Sequence, residues 1–180
     1  MKQATVKFSY DDYLLLPDGR RHEIVDGDLR VVPAPNIRHQ RISRNLEFAL
    51  GEYIRQNDLG ELLHAPCDVL LAQDNVVQPD ILFVAKDRLG IIGSACVEGP
   101  PDLIIEILSE GTKHGDRILK RKLYARFAVS EYWIVDPESK TIEVLRWSEA
   151  GYETAAVYPQ SGAVSSELFP ALRLKLKDIF

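Results

Sequence analysis

Hydrophobic positions in this chain follow two periods, and the switches between them mark out its elements. Ile42, Leu46, Ala49, Leu50, Tyr53 and Ile54 recur at spacings of three and four, which predicts a long helix over residues 37–57. Leu119, Leu123 and Phe127 repeat every four and predict a second helix over about residues 116–128. Short apolar runs between turn residues read as strands: one around Glu23, then Leu29–Val32, Glu61–Leu71, Val76–Ala85, residues 102–108, Glu131–Val135, Thr141–Trp147 and Tyr152–Tyr158. Asp26-Gly27 predicts a hairpin turn between the first two, Gln73-Asp74-Asn75 turns the next pair, and Gly151 the last. Ser9 is a candidate N-cap for a short helix that ends at Pro17-Asp18-Gly19. Residues 86–99 and 109–115 read as loops, and residues 168–172 and 176–180 as a packing tail. The order predicts one mixed α/β domain over residues 1–180, with helices packed on a central sheet.

One run stands out. Pro101-Asp102-Leu103-Ile104-Ile105-Glu106-Ile107-Leu108-Ser109 has the apolar density of a strand buried on both faces, yet it carries Glu106 inside. A buried carboxylate is costly unless it is paired, hydrogen-bonded or bound to a metal. Two readings of Glu106 follow: a structural ion pair, or a metal ligand. Asp80, behind Pro79 at the head of Ile81-Leu82-Phe83-Val84, is a turn or cap on the first reading and a second ligand on the other. Two carboxylates on neighbouring strands suit magnesium, which takes oxygen ligands, few of them from the protein. A lysine nearby would orient or help deprotonate a water and offset charge on phosphorus, and Lys120, on the following helix, is the candidate. Together these residues point to metal-assisted phosphodiester hydrolysis.

Composition narrows the setting. The 180 residues are 46% hydrophobic and 27% charged, as in an ordinary globular protein. Neither a membrane-spanning run nor a signal-peptide pattern is present, and Cys67 and Cys96 have no metal-like spacing, so a reducing, cytoplasmic location is expected. A formal net charge of -5 argues against a non-specific nucleic-acid coat. Locally the balance reverses: Lys113, Arg117, Lys120, Arg121, Lys122 and Arg126 face only Asp116 over residues 113–126. That stretch is either a solvated helix face or a phosphate-binding flank.

The ordered set of motifs resembles a known family. Gln78-Pro79-Asp80-Ile81 followed by Glu106 resembles the PD-(D/E)XK nuclease pattern. His22-Glu23-Ile24-Val25-Asp26-Gly27, His39, the Pro101–Ser109 run, Asp116, Lys120, Tyr124 and Val129-Ser130-Glu131-Tyr132-Trp133-Ile134-Val135-Asp136-Pro137 extend the likeness to the Uma-two branch of that superfamily. The resemblance implies a restriction-endonuclease-like core with flanking helices and an added β-hairpin, and a magnesium site at Asp80 and Glu106, with manganese as a substitute. It implies a DNA endonuclease in which Glu23, Asp80, Glu106 and Lys120 are the catalytic set. Leu108 occupies the position where the wider pattern has lysine, and the resemblance suggests that Lys120 supplies the amine from the helix. Lys122 competes for that role, but it lies about 200° around the helix. The alternative is a catalytically weak or inactive nucleic-acid-binding domain on the same fold. Glu23 keeps two readings, as a residue that coordinates or orients the metal through water or as an exposed hairpin residue. Supporting residues also keep two each: His39 as a core histidine or as a site histidine bonding Glu23 or a phosphate, Tyr124 as packing or site residue, and Asp116 as an N-cap or as a partner of Lys120 at i, i+4. Asp102, before its strand, reads as a turn residue. A homodimer is expected, because cutting two strands wants two sites related by a two-fold axis.

Overall fold

The computed structural model describes residues 6–17, 20–109 and 115–180. Asp18, Gly19 and residues 110–114 lie outside it, and with them part of the predicted Pro17-Asp18-Gly19 turn and of the loop before the second helix. Ser9 caps a single helical turn, α1 (Tyr10–Tyr13). Its side chain accepts from the Asp12 N–H while the Asp12 carboxylate accepts from the Ser9 N–H. β1 (Arg21–Val25) and β2 (Asp28–Val32) form the predicted hairpin. Asp26 and Gly27 both adopt positive φ, 52° and 76°, the two-residue turn that matches strand twist and that Asp-Gly favours. α2 (Ile37–Gln56) starts at Asn36, whose side chain accepts from the His39 N–H.

Two predicted strands are each broken in two. Residues 61–71 divide into β3 (Gly60–His64) and β4 (Val69–Ala72), and residues 76–85 into β5 (Asn75–Val77) and β6 (Ile81–Ala85). β3 pairs with β6 in one sheet, and β4 pairs with β5 in another. The reason is local: Pro66 and Pro79 have no N–H to continue a ladder, so both strands leave one sheet near the same level and resume in the other. Asp80 stands at this corner, immediately before β6.

The stretch read as a loop over residues 86–99 holds a 3-10 turn, Lys86–Ile91, and β7 (Val97–Glu98), parallel to β4. β8 (Leu103–Ile107) is followed by α3 (Gly115–Arg126), which leads to β9 (Glu131–Asp136), parallel to β8. This crossover supplies the parallel pair of a mixed sheet. β10 (Thr141–Ser148) and β11 (Gly151–Pro159) make the added hairpin, and β12 (Ala163–Val164) pairs with β13 (Leu174–Lys175). Among the described residues the larger sheet runs β11-β10-β9-β8-β6-β3 and the smaller β2-β1-β5-β4-β7.

Strand alternation assigns the faces of the larger sheet. Ile81, Phe83, Ile105, Ile107 and Trp133 face the α2 stripe of Ile42, Leu46, Leu50 and Ile54, together with the tail residues Phe169, Leu172 and Ile179. Leu82, Val84, Ile104, Tyr132 and Ile134 face Leu123 and Tyr124 of α3 and the inner residues Val25, Val69 and Val77 of the smaller sheet. Tyr132 and Trp133 are core aromatics. Among the described residues no helix is long and apolar enough to cross a membrane.

Candidate active site

Five elements meet where the two sheets exchange strands. The register of β6 against β8 pairs Ile81 with Ile105, so Asp80, one residue earlier, comes opposite Glu106. β1 brings Glu23, α2 brings His39 and α3 brings Lys120. Arg21, Glu23, His39, Gln78, Asp80, Glu106 and Lys120 line one cavity of about 200 Å³. At about 30 Å³ for a water's share of liquid volume, that is room for a few waters and one small anion.

Lys120 links two of the acids. Its Nζ lies 2.9 Å from Glu106 Oε1 and 3.0 Å from Glu23 Oε1, with side-chain exposures of 12%, 11% and 6% for the three residues. Geometry favours Lys120 as the amine at the site. Burial works against its charge, but Glu106 and Glu23 prevail and hold the ammonium well above its ordinary pKa. For Glu106, burial is the strongest influence and pushes the carboxyl from 4.5 up to about 7; Lys120 opposes this, while Asp80 and Glu23 add to it. Tyr124, fully buried, donates to Glu106 Oε1 at 2.6 Å. Burial, then Glu106, keeps its phenol protonated, so Tyr124 is both packing and site residue.

Glu23 is not exposed on its hairpin; it is 4% exposed and also accepts the Gln78 N–H at 3.0 Å. His39 reaches Asp80 rather than Glu23: Nε2 to Asp80 Oδ2 is 3.0 Å, and the same oxygen accepts the Ile107 N–H at 2.8 Å. An ionised carboxylate only accepts, so His39 donates from Nε2. Its Nδ1 is buried and has no hydrogen-bond partner among the described residues. Asp116 lies in the first turn of α3, but its side chain falls outside the described residues.

Asp80 and Glu106 share one asymmetry. Among the described residues, Asp80 Oδ2 takes two hydrogen bonds and Oδ1 none, while Glu106 Oε1 takes two and Oε2 none. Neither remaining oxygen is among the sealed, unpartnered buried atoms. Two half-used carboxylates beside a small cavity fit a hard cation that takes one or two protein carboxylates and completes its shell with water. They do not fit an ion that needs three or four side-chain ligands, and no cluster of three His, Cys, Asp or Glu suited to that occurs among the described residues.

Sequence reasoning missed Arg21 and Gln78. Alternation along β1 places Arg21 on the same face as Glu23, and Gln78 immediately precedes Pro79-Asp80; both signals were available. It also read Asp102 as a turn residue. Asp102 is 7% exposed, accepts the Ala85 N–H at 2.8 Å and pairs with Arg88 at 2.6 Å.

A mixed sheet with a helical crossover, flanking helices and an acid pair at the strand exchange defines the restriction-endonuclease-like class of fold. A structure from Anabaena variabilis, described as a putative nuclease belonging to DUF820, superposes with a TM-score of 0.80 over 96% of this chain and 97% of that one, at 21% identity. The family model Uma2, "Putative restriction endonuclease", matches residues 10–177, and the chain belongs to that family. No curated protein matches the chain.

Proposed function

We propose that this protein is a magnesium-dependent endonuclease that hydrolyses DNA phosphodiesters, with manganese able to replace magnesium. The observation that carries the reading is the asymmetry at the strand exchange: Asp80 and Glu106 line the same cavity, and among the described residues each has one oxygen without a hydrogen bond. Those two residues hold the cation. When bound, it supplies a more acidic water and positive charge for the phosphate oxygens.

The remaining steps belong to side chains of this chain. Lys120 is fixed as an ammonium by Glu23 and Glu106, so it orients water and offsets charge on phosphorus rather than accepting a proton. Glu23 is a positioning residue, holding Lys120 from β1 while its own carboxylate is held by the Gln78 N–H. His39 and the Ile107 N–H fix Asp80 Oδ2, and Tyr124 fixes Glu106 Oε1, so that the other oxygens keep one orientation. The reading takes the whole chain as one catalytic unit, cytoplasmic, acting as a homodimer so that both strands of a duplex are cut.

Asp80→Ala and Glu106→Ala are expected to abolish magnesium- and manganese-dependent nicking of supercoiled plasmid while circular dichroism stays unchanged. A variant that cuts as fast as wild type overturns the assignment. Wild-type protein that binds DNA but cuts in neither metal supports instead the non-catalytic binding domain. Sedimentation velocity tests the dimer.

A further inference from the structure

The basic flank expected on α3 is mostly engaged elsewhere. Arg117 pairs with Glu143, Lys120 with Glu23 and Glu106, and Arg126 with Asp26, while Arg121 donates to the Tyr152 carbonyl at 2.9 Å. Apart from Lys120, the cationic side chains that line the cavity come from a different element, the β1–β2 hairpin.

Arg21 and Arg30 both line the cavity. Arg21 is two residues before Glu23, and Arg30 pairs in register with Glu23, so pleating sends all three side chains to one face of the hairpin. Among the described residues neither arginine makes an ion pair. Arg30 is solvent-exposed. Arg21 is half-buried and held in place: Nε donates to Gln78 Oε1 at 2.8 Å and Nη2 to the Gln78 carbonyl at 3.3 Å. Gln78 is itself fixed, donating from Nε2 to Asp68 Oδ1 at 2.6 Å and to the Tyr13 hydroxyl at 3.1 Å. A guanidinium anchored along one edge keeps the rest of its donor fork for a planar or tetrahedral anion. Arg21 also lines a second hollow of about 340 Å³ with His39, Gln40, Arg44, His64 and Asp80. The two hollows therefore meet at Asp80, and Arg21 borders both.

We infer that Arg21, pre-set by Gln78 and assisted by Arg30, forms the phosphodiester-binding subsite beside the carboxylate pair. Gln78 is the positioning residue, linking the anion subsite through its side chain to Glu23 through its backbone N–H. The inference rests on the nuclease reading for the identity of its ligand. It adds which cations hold the backbone beside Lys120: those of the hairpin, rather than the outer cations of α3.

The test is fluorescence anisotropy of a short labelled duplex with calcium in place of magnesium, across a salt series, with the duplex checked intact afterwards. Arg21→Ala is expected to weaken binding roughly 10–100-fold and to reduce the salt slope by about one. Arg21→Lys keeps the charge but cannot span both Gln78 acceptors and an anion, so its affinity falls between the two. Arg30→Ala, at an exposed position without structural partners, is expected to lose roughly 3–10-fold, whereas Lys122→Ala on α3 stays within twofold of wild type. The inference is overturned if Arg21→Ala and Arg30→Ala bind with wild-type affinity and salt slope, if Lys122→Ala matches their loss, or if the wild-type protein does not bind the duplex. Failure of the nuclease reading looks different: wild-type protein would cut in neither metal, while the arginine variants would still bind weakly.

Discussion

Replacing Lys120 with methionine tests the buried charge cluster without reference to activity. The substitution keeps most of the stem volume and removes the ammonium 2.9 Å from Glu106 and 3.0 Å from Glu23. Both carboxylates are nearly sealed, at 11% and 6% side-chain exposure. Breaking a buried ion pair by deleting one partner typically costs about 3–5 kcal/mol, because the remaining charge is left uncompensated. Here the remaining charge has an escape. Glu106 already sits at about 7 through burial, against the attraction of Lys120, and losing that attraction moves it higher still. Folded Lys120→Met therefore binds a proton at Glu106 that the unfolded chain, near 4.5, has released. With more protons bound in the folded state, stability falls as pH rises, by up to about 1.4 kcal/mol per pH unit for one proton. The wild type shares this trend up to about 7; the variant continues it further. The expected result in metal-free urea unfolding is a loss of about 3–5 kcal/mol near pH 8, smaller by at least about 1 kcal/mol near pH 5.5. For a chain of this size the higher-pH loss corresponds to a melting shift of roughly 6–20 °C. A loss that is equal at both pH values, or larger at the acidic one, refutes the coupling of Lys120 to Glu106.

Three further outcomes follow from the same geometry. His39→Ala is expected to lower manganese affinity in calorimetry by roughly 10–100-fold, because Asp80 loses one of the two donors that orient it, and to leave the metal-free melting temperature nearly unchanged. Glu131→Ala is expected to destabilise by about 3–5 kcal/mol in urea unfolding without any effect on metal affinity; Glu131 is 2% exposed and accepts from Trp133 Nε1, Ser166 Oγ and the Glu167 N–H at 2.8–2.9 Å. Tyr124→Phe removes a 2.6 Å hydrogen bond to Glu106 and is expected to cost about 1–3 kcal/mol, measured the same way.

Much of the fold was legible because its elements are locally consistent. The α2 stripe, the Asp26-Gly27 hairpin, the central strand and the β10–β11 hairpin follow from periodicity and turn chemistry alone. The strand exchange was not. A period of two reports which face a residue takes, not which sheet it belongs to, so two strand segments joined at a corner read as one strand. Pro66 and Pro79 carry the available signal, because neither can donate to a ladder, but a proline alone does not tell a strand start from a change of sheet. The candidate site was legible only as a set of residues that converge: Glu23, Asp80, Glu106 and Lys120 line one cavity. Their wiring was not: that His39 serves Asp80, and that the α3 cations mostly turn to Glu143, Asp26 and the Tyr152 carbonyl, depends on contacts far apart in sequence.

The same distinction explains why a buried carboxylate alone is a weak marker of function. β8 and β9, with the residue before β8, carry three of them: Asp102, Glu106 and Glu131. From sequence all three are acids at apolar strands, and each raises the same desolvation problem. The structure separates them by how their oxygens are occupied. Asp102 gives one oxygen to the Ala85 N–H and the other to Arg88. Glu131 gives one to Trp133 and Ser166 and the other to the Glu167 N–H. Each is complete, and a ligand could reach either only by displacing a bond already made. Glu106 places both of its bonds on one oxygen, and Asp80 opposite does the same. A core that needed only stability would use all four of those oxygens internally, as it does at Asp102 and Glu131. Among the described residues one oxygen on each of two facing carboxylates is left over, beside the cavity, and that difference from Asp102 and Glu131 is what the proposed cation site rests on.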